Sequence, residues 1–233
     1  MRDFTTKYRP ETLDKYWGGN STKERWQGYV GLRRFPKSII LAGGYGQGKT
    51  TLALIFCDDI IRLAARNEGA VFGPYLRKLK LSDYERKRVN EMIESSHRSM
   101  CSPIVMFMDE AQRMPDKTIQ ELFITPIDNY ENVYCVFAAA DIKDMNPALI
   151  SRSAIFAVEP PPMDVLIEKL AEIAQKERIP IPLEPLIYLI EQSDRVPREC
   201  LKNLECLCGC KEPLTIDVVR KRISTNVGAK YAV

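Results

Sequence analysis

No apolar run in this sequence approaches the ~20 residues that a membrane-spanning helix requires. Its opening, Met1-Arg2-Asp3-Phe4, is too polar for a secretory leader. Both absences predict a cytoplasmic chain with no membrane contact. Histidine is nearly missing: His97 is the only one in 233 residues. Catalysis by a Ser-His-Asp or Cys-His arrangement would have to use that single side chain, and its place after Ser95-Ser96 at an expected helix end fits a cap better. The seven cysteines are odd in number and scattered, which argues against a disulfide framework. Even the densest group, Cys200, Cys206, Cys208 and Cys210, lacks the paired C-x-x-C of a structural zinc site. On a helix Cys208 would turn away from Cys206 and Cys210, so these read as small buried hydrophobes. A net charge of +3 is too small to identify a nucleic-acid binder without a local basic patch. The sequence has no internal repeat and no low-complexity segment.

What it does have is Gly43-Gly44-Tyr45-Gly46-Gln47-Gly48-Lys49-Thr50, the pattern G-x-x-x-x-G-K-T. Ser38-Ile39-Ile40-Leu41-Ala42 precedes it and Leu52-Ala53-Leu54-Ile55-Phe56 follows Thr51, so the context is strand, glycine loop, helix. Glycines let such a loop wrap a phosphate with its N–H groups aimed inward, and the helix adds its positive end. Lys49 would reach the β- and γ-phosphates and the Thr50 hydroxyl would ligate Mg2+. A glycine-rich turn that binds nothing is the plain alternative, but lysine, threonine and both flanking elements together point to a nucleoside triphosphate. Gly44 to Thr51 are the expected contacts.

The second signal is Ile104-Val105-Met106-Phe107-Met108-Asp109-Glu110. A continuous apolar run reads as a strand buried on both faces, central in a parallel sheet, and ligands bind at the carboxyl ends of such strands. Asp109 would hold the Mg2+ through its water shell and Glu110 would polarise an attacking water. Further strands are expected at Asn132–Asp141 and Ala154–Val158, with a weak one at Ala70–Phe72. Helices are expected after a capping box at Ser21 and Glu24, along the glycine loop's trailing segment to Asn67-Glu68-Gly69, after Ser82 and Glu85, and from Asp116 to Pro126. Strands alternating with helices mean an α/β fold with a largely parallel sheet. Beyond Glu159-Pro160-Pro161-Pro162 only helical signals occur, with starts at Pro185, Pro197 and Thr215. The expected domains are a nucleotide-binding core over 1–160, whose first 20 residues form an arm, and a helical lid over 161–233. The basic segment Leu76–Arg88 fits a solvated helix face and a DNA-backbone surface equally well.

In order, Tyr8-Arg9-Pro10, the glycine loop, Asp109-Glu110-Ala111, Ser151-Arg152-Ser153 and Val196-Pro197-Arg198 resemble the AAA+ ATPases of sliding-clamp loaders. That group includes the bacterial DNA polymerase III gamma subunit and the replication factor C small subunits. The resemblance covers nearly the whole chain. It implies ATP with Mg2+ and assembly with other AAA+ subunits around DNA, serving a sliding clamp or another loaded protein. It further implies that Arg152, in the motif the family writes Ser-Arg-Cys, enters a neighbour's nucleotide site as an arginine finger. Arg198 would touch the phosphates of its own subunit, and Tyr8, Arg9 and Pro10 would lie over the adenine and ribose. Three features depart from the family. Ala140 stands where it has threonine or asparagine, the gamma-type zinc cysteines are missing, and the chain stops near the end of the lid. They keep two alternatives in view, a nucleotide-switch regulator of transposition or helicase loading with weak hydrolysis and a branch-migration motor; apart from them, Phe72-Gly73-Pro74-Tyr75 is a faint pore-loop candidate for a protein unfoldase.

Overall fold

A computed structural model describes residues 3–68, 75–79, 84–98 and 103–228. The chain forms two compact units: Asn20–Gly44 with Lys49–Val158, and Met1–Gly19 with Tyr45–Gly48 and Glu159–Val233.

The first unit is built on five parallel strands: β1 (Ser38–Ala42), β2 (Tyr75–Leu79), β3 (Ile104–Met108), β4 (Val133–Ala139) and β5 (Ala154–Ala157). Their spatial order is β2-β3-β4-β1-β5. Every residue of β3 is fully buried, as its unbroken apolar run requires. The register pairs Ala42 with Ala139 and Met108 with Phe137. The carboxyl ends of β1, β4 and β3 therefore lie side by side, and the glycine loop, Ala140 and Asp109 leave from adjacent positions on one edge.

The helix α2 (Asn20–Leu32) starts one residue before the expected cap, so Ser21 sits inside its first turn. Its anchor is Trp26, fully buried, stacked on Phe56 at 3.7 Å and 7°, with its indole N–H donating to Asp59 at 2.9 Å. Phe56 belongs to α3 (Lys49–Glu68), which runs to the last residue described before Tyr75. Trp26→Ala should lower stability by about 3–5 kcal/mol, because a large buried ring leaves a cavity that its aromatic neighbours cannot fill. Chemical denaturation checks it.

Two expectations need correction. Asp116 caps a helix through the Thr118 N–H at 2.9 Å, as expected, but that helix, α5 (Lys117–Glu121), ends early. A second one, α6 (Ile124–Asn129), then begins, and Pro126 lies in its first turn instead of closing a single helix. A first-turn N–H has no helical partner to lose, so proline is tolerated there. The basic segment is also not a helix face throughout: its first part, to Leu79, belongs to β2, while α4 (Arg86–His97) begins after Glu85 as expected. Arg77 donates to Ser95 Oγ at 2.5 Å, and the Lys78 ammonium lies 5.3 Å from the Phe107 ring centroid. Long basic stems thus cover the sheet, and a charged stretch can be a strand. Ala70–Phe72, Ser82 and Phe72-Gly73-Pro74 fall outside the described residues.

In the second unit α1 (Phe4–Lys7) packs with four further helices, α8 (Met163–Lys176), α9 (Leu183–Gln192), α10 (Pro197–Glu205) and α11 (Ile216–Gly228). Leu166, Leu170, Leu189, Ile190, Leu204 and Val219 are their shared core. Pro197 opens α10 and Thr215 accepts from the Val218 N–H at 3.4 Å, while α9 begins at Leu183 and holds Pro185 in its first turn. The arm is fixed by Phe4, buried in this core and edge-on to Tyr8 at 5.5 Å. Lys7 pairs with Glu177 at 2.5 Å and the Tyr8 hydroxyl donates to the same carboxylate. Those bonds, the lysine's first, hold Glu177 below the usual carboxylate range. The cysteine expectation is half right. Cys200 is fully buried, and burial pushes its thiol up to about 12, but Cys206 and Cys210 are half-buried and Cys208 is exposed. Among the described residues no group of three or more His, Cys, Asp and Glu side chains could hold a metal ion, and no helix is long and apolar enough to cross a membrane.

Candidate active site

The loop after β1 has two glycines in the left-handed region, Gly46 at φ +76° and Gly48 at φ +99°. Each also meets a close neighbour. A Cβ built on Gly46 would lie 2.6 Å from Val196 Cγ1 and 3.5 Å from the Arg198 Cβ, and one on Gly48 would lie 2.9 Å from the Tyr16 hydroxyl. Arg198, in the first turn of α10, is therefore set beside the loop's tip. Tyr16 is almost fully buried and donates to the Gln47 carbonyl at 3.2 Å, and burial pushes its phenol pKa up. Gly46→Ala meets both obstacles at once, unfavourable φ and a collision with Val196. It should weaken ATP binding by at least tenfold while leaving the melting of the sheet core in place; titration calorimetry beside a denaturation curve checks both.

Lys49 and Thr50 open α3, at its positive end. The Lys49 ammonium donates to the Gly43 and Gly44 carbonyls at 2.8 Å each, curled over its own loop. Thr51, beside them in the same turn, is half-buried, and Tyr45 at the tip is exposed. The Thr50 hydroxyl lies 3.1 and 3.0 Å from the two carboxylate oxygens of Asp109. A hydroxyl from the first turn of α3 and a carboxylate from the end of β3 are hard oxygen donors, the set that Mg2+ takes. The residues fit the ion.

Glu110 follows in a left-handed conformation, φ 53° and ψ 44°, which costs a residue with a Cβ about 1–2 kcal/mol. The kink turns the chain from β3 into a 3-10 turn, Ala111–Arg113, and the Glu110 carboxylate meets the Arg113 guanidinium at 2.9 Å. The same kink carries Gln112 toward β4, where its Oε1 accepts from the Ala140 N–H at 3.1 Å. The fully buried ring of Tyr84 donates its hydroxyl to the Asp109 carbonyl.

Arg152 lies elsewhere. It caps α7 (Pro147–Ser151), with Nε 2.9 and 3.1 Å from the Asp128 carboxylate oxygens and Nη1 donating to the Ala148 carbonyl at 3.1 Å. Its chain neighbour Ser153 is tied to Ser38 at the start of β1 through a hydroxyl pair at 2.6 Å. Arg152 is thus at the amino edge of the sheet, while Thr50 and Asp109 are at the carboxyl edge. A strand's length separates them, about 13 Å at ~3.3 Å per residue. In the arm, Arg9 is exposed and Pro10 half-buried, and Tyr8 is engaged with Glu177. The structure adds four residues that sequence reasoning missed, Tyr16, Tyr84, Gln112 and Arg113. Only Gln112 and Arg113 carried a signal, their place just after the acidic pair.

The family model for the ATPase family associated with various cellular activities (AAA) matches residues 39–160, more than half of the chain. The chain belongs to the AAA family. Its curated relatives are of the clamp-loader type. It is 22% identical to the replication factor C small subunit of Thermoplasma acidophilum over 213 residues, 88% of this chain and 63% of that one. To the same protein of Archaeoglobus fulgidus it is 25% identical over 228 residues, 94% of this chain and 68% of that one. The chain thus spans about two thirds of the length of the curated relatives it matches, and just under that for the first. Among solved structures it resembles the Thermotoga maritima RuvB Holliday junction branch migration motor, with a TM-score of 0.70 at 20% identity. That match covers 94% of this chain and 72% of the other, and a RuvB variant reaches 0.74. This likeness establishes the AAA+ fold, a parallel α/β core and a helical segment after it.

Proposed function

We propose that this AAA protein is a clamp-loader-type ATPase subunit of the cytoplasm. It binds ATP, assembles with other AAA+ subunits into a ring or spiral, and couples ATP binding and hydrolysis to loading a partner, such as a sliding clamp, onto DNA. The observation that carries the reading is the separation of Arg152 from Thr50 and Asp109 by the full depth of the sheet. An arginine on the far edge cannot serve its own subunit's nucleotide, but in an assembly it can serve a neighbour's.

In the mechanism the loop amides and Lys49 bind the β- and γ-phosphates, and Arg198 reaches them from α10. Thr50 and Asp109 would hold Mg2+, which supplies charge neutralisation on the phosphate oxygens. Glu110 orients the attacking water and accepts its proton. Arg152 of the partner subunit, released from Asp128, stabilises charge developing on the transferred phosphoryl group. Tyr8, Arg9 and Pro10 line the adenosine side.

Ala140 favours a second reading, a nucleotide switch that assembles on DNA with little hydrolysis. Turnover with and without primed DNA, with particle mass recorded in ATP, separates the two. Turnover stimulated by DNA together with a rise in mass supports the loader. Assembly without turnover supports the switch, and a monomer indifferent to ATP contradicts both.

A further inference from the structure

The carboxyl end of β4 lies between the ends of β1 and β3, hence between the glycine loop and Asp109. The Gly43 N–H donates to the Ala139 carbonyl at 3.3 Å, so the loop's first residue touches this strand end. The residue leaving the strand here, Ala140, stands between the loop that would bind the phosphates and Asp109, and offers only a methyl group. Gln112 covers the place. Its carboxamide is oriented without ambiguity, because the Ala140 N–H can only donate and the atom facing it must be the acceptor Oε1. The amide –NH2, with two donors, is then directed away from Ala140, and among the described residues it has no protein acceptor. The side chain is half-buried and held at its oxygen, on the 3-10 turn that follows the left-handed Glu110.

We infer that Gln112 is a further catalytic residue of this ATPase, its amide –NH2 donating to the γ-phosphate oxygens or the attacking water at the end of β4. Strand β4 contributes the N–H that aims the amide, and the 3-10 turn after β3 contributes the donor. The inference rests on the ATP-hydrolysing reading of the same site. It also removes the ground for weak hydrolysis, since the donor missing from Ala140 comes from two residues beyond Glu110.

Two substitutions of Gln112, and a rescue at Ala140, test it. Gln112→Glu keeps the oxygen that accepts from Ala140 and the shape, but replaces the donor with a charged oxygen. It should lower kcat by about 10²-fold, the usual effect of removing one preorganised donor, with the melting temperature unchanged. Gln112→Ala should lose a similar factor, and adding Ala140→Asn, which puts a donor directly on β4, should restore at least tenfold of it. The KM for ATP should move far less than kcat. Parental kcat in Gln112→Glu, or a loss in Gln112→Ala that follows melting temperature and is not rescued by Ala140→Asn, would overturn the inference while leaving the ATPase reading intact. A parent chain without turnover, alone and with DNA, would overturn both.

Discussion

Arg152→Ala should cut ATP turnover by ~10³–10⁵-fold, the range over which arginine fingers act, with nucleotide affinity and folding stability nearly unchanged. The stability half of the expectation follows from exposure. The Arg152 and Asp128 side chains are 40% and 41% exposed, and an ion pair in that setting contributes about 0–1 kcal/mol. Affinity is preserved because Arg152 is a strand's length from the Lys49, Thr50 and Asp109 that hold the nucleotide in its own chain. A guanidinium that acts only as charge develops on the phosphoryl group alters kcat and spares binding. Steady-state turnover beside ATP titration and a melting curve reads all three quantities. A parallel fall in affinity and melting temperature would show that Arg152 is structural, holding α7 to α6 through Asp128.

The second large effect is expected at Glu110. Glu110→Gln should lower kcat by ~10²–10⁴-fold, the contribution of a positioned general base, and leave ATP bound and unhydrolysed. Glutamine keeps the size of the side chain and an acceptor for Arg113, so the ion pair at 2.9 Å becomes a hydrogen bond from the charged guanidinium to a neutral oxygen and the 3-10 turn persists. The unfavourable backbone at φ 53° is also unchanged, since it belongs to the turn and not to the charge. ATP retention measured by filter binding, beside turnover, should show a long-lived complex. Turnover equal to the parent's would remove Glu110 from the mechanism.

How much of this was legible in the sequence depended on whether a feature is set locally or by pairing. The buried runs at Ile39–Leu41, Ile104–Met108 and Val133–Ala139 announced themselves, because strands covered on both faces have nothing but apolar residues to offer. So did the glycine loop, whose chemistry and flanking elements are contiguous. Strand β2 did not. Tyr75–Leu79 carries Arg77 and Lys78, and what makes it a strand is its neighbour β3 and the room for basic stems over Phe107 and toward Ser95. The break between α5 and α6 was hidden for the opposite reason: the apolar spacing of Ile119, Leu122 and Phe123 continues across it, and only tertiary packing decides where the helix turns. At the site, Asp109 and Thr50 were readable as motif members expected on one Mg2+, and they do approach each other, at 3.0 and 3.1 Å. Gln112 was the deepest omission. Its role depends on a left-handed residue at Glu110, and no pattern of residue types predicts that a glutamate will adopt one.

The most direct test of a site completed between subunits is a mixing experiment with the two impaired variants. Arg152→Ala keeps its own Glu110, and Glu110→Gln keeps its own Arg152, so mixed assemblies contain interfaces with both groups intact. Each variant alone should be nearly inactive, and mixing them in the presence of ATP and primed DNA should restore turnover well above either. If the mixture is no more active than its components while particle mass shows that they have assembled together, Arg152 does not act across the interface.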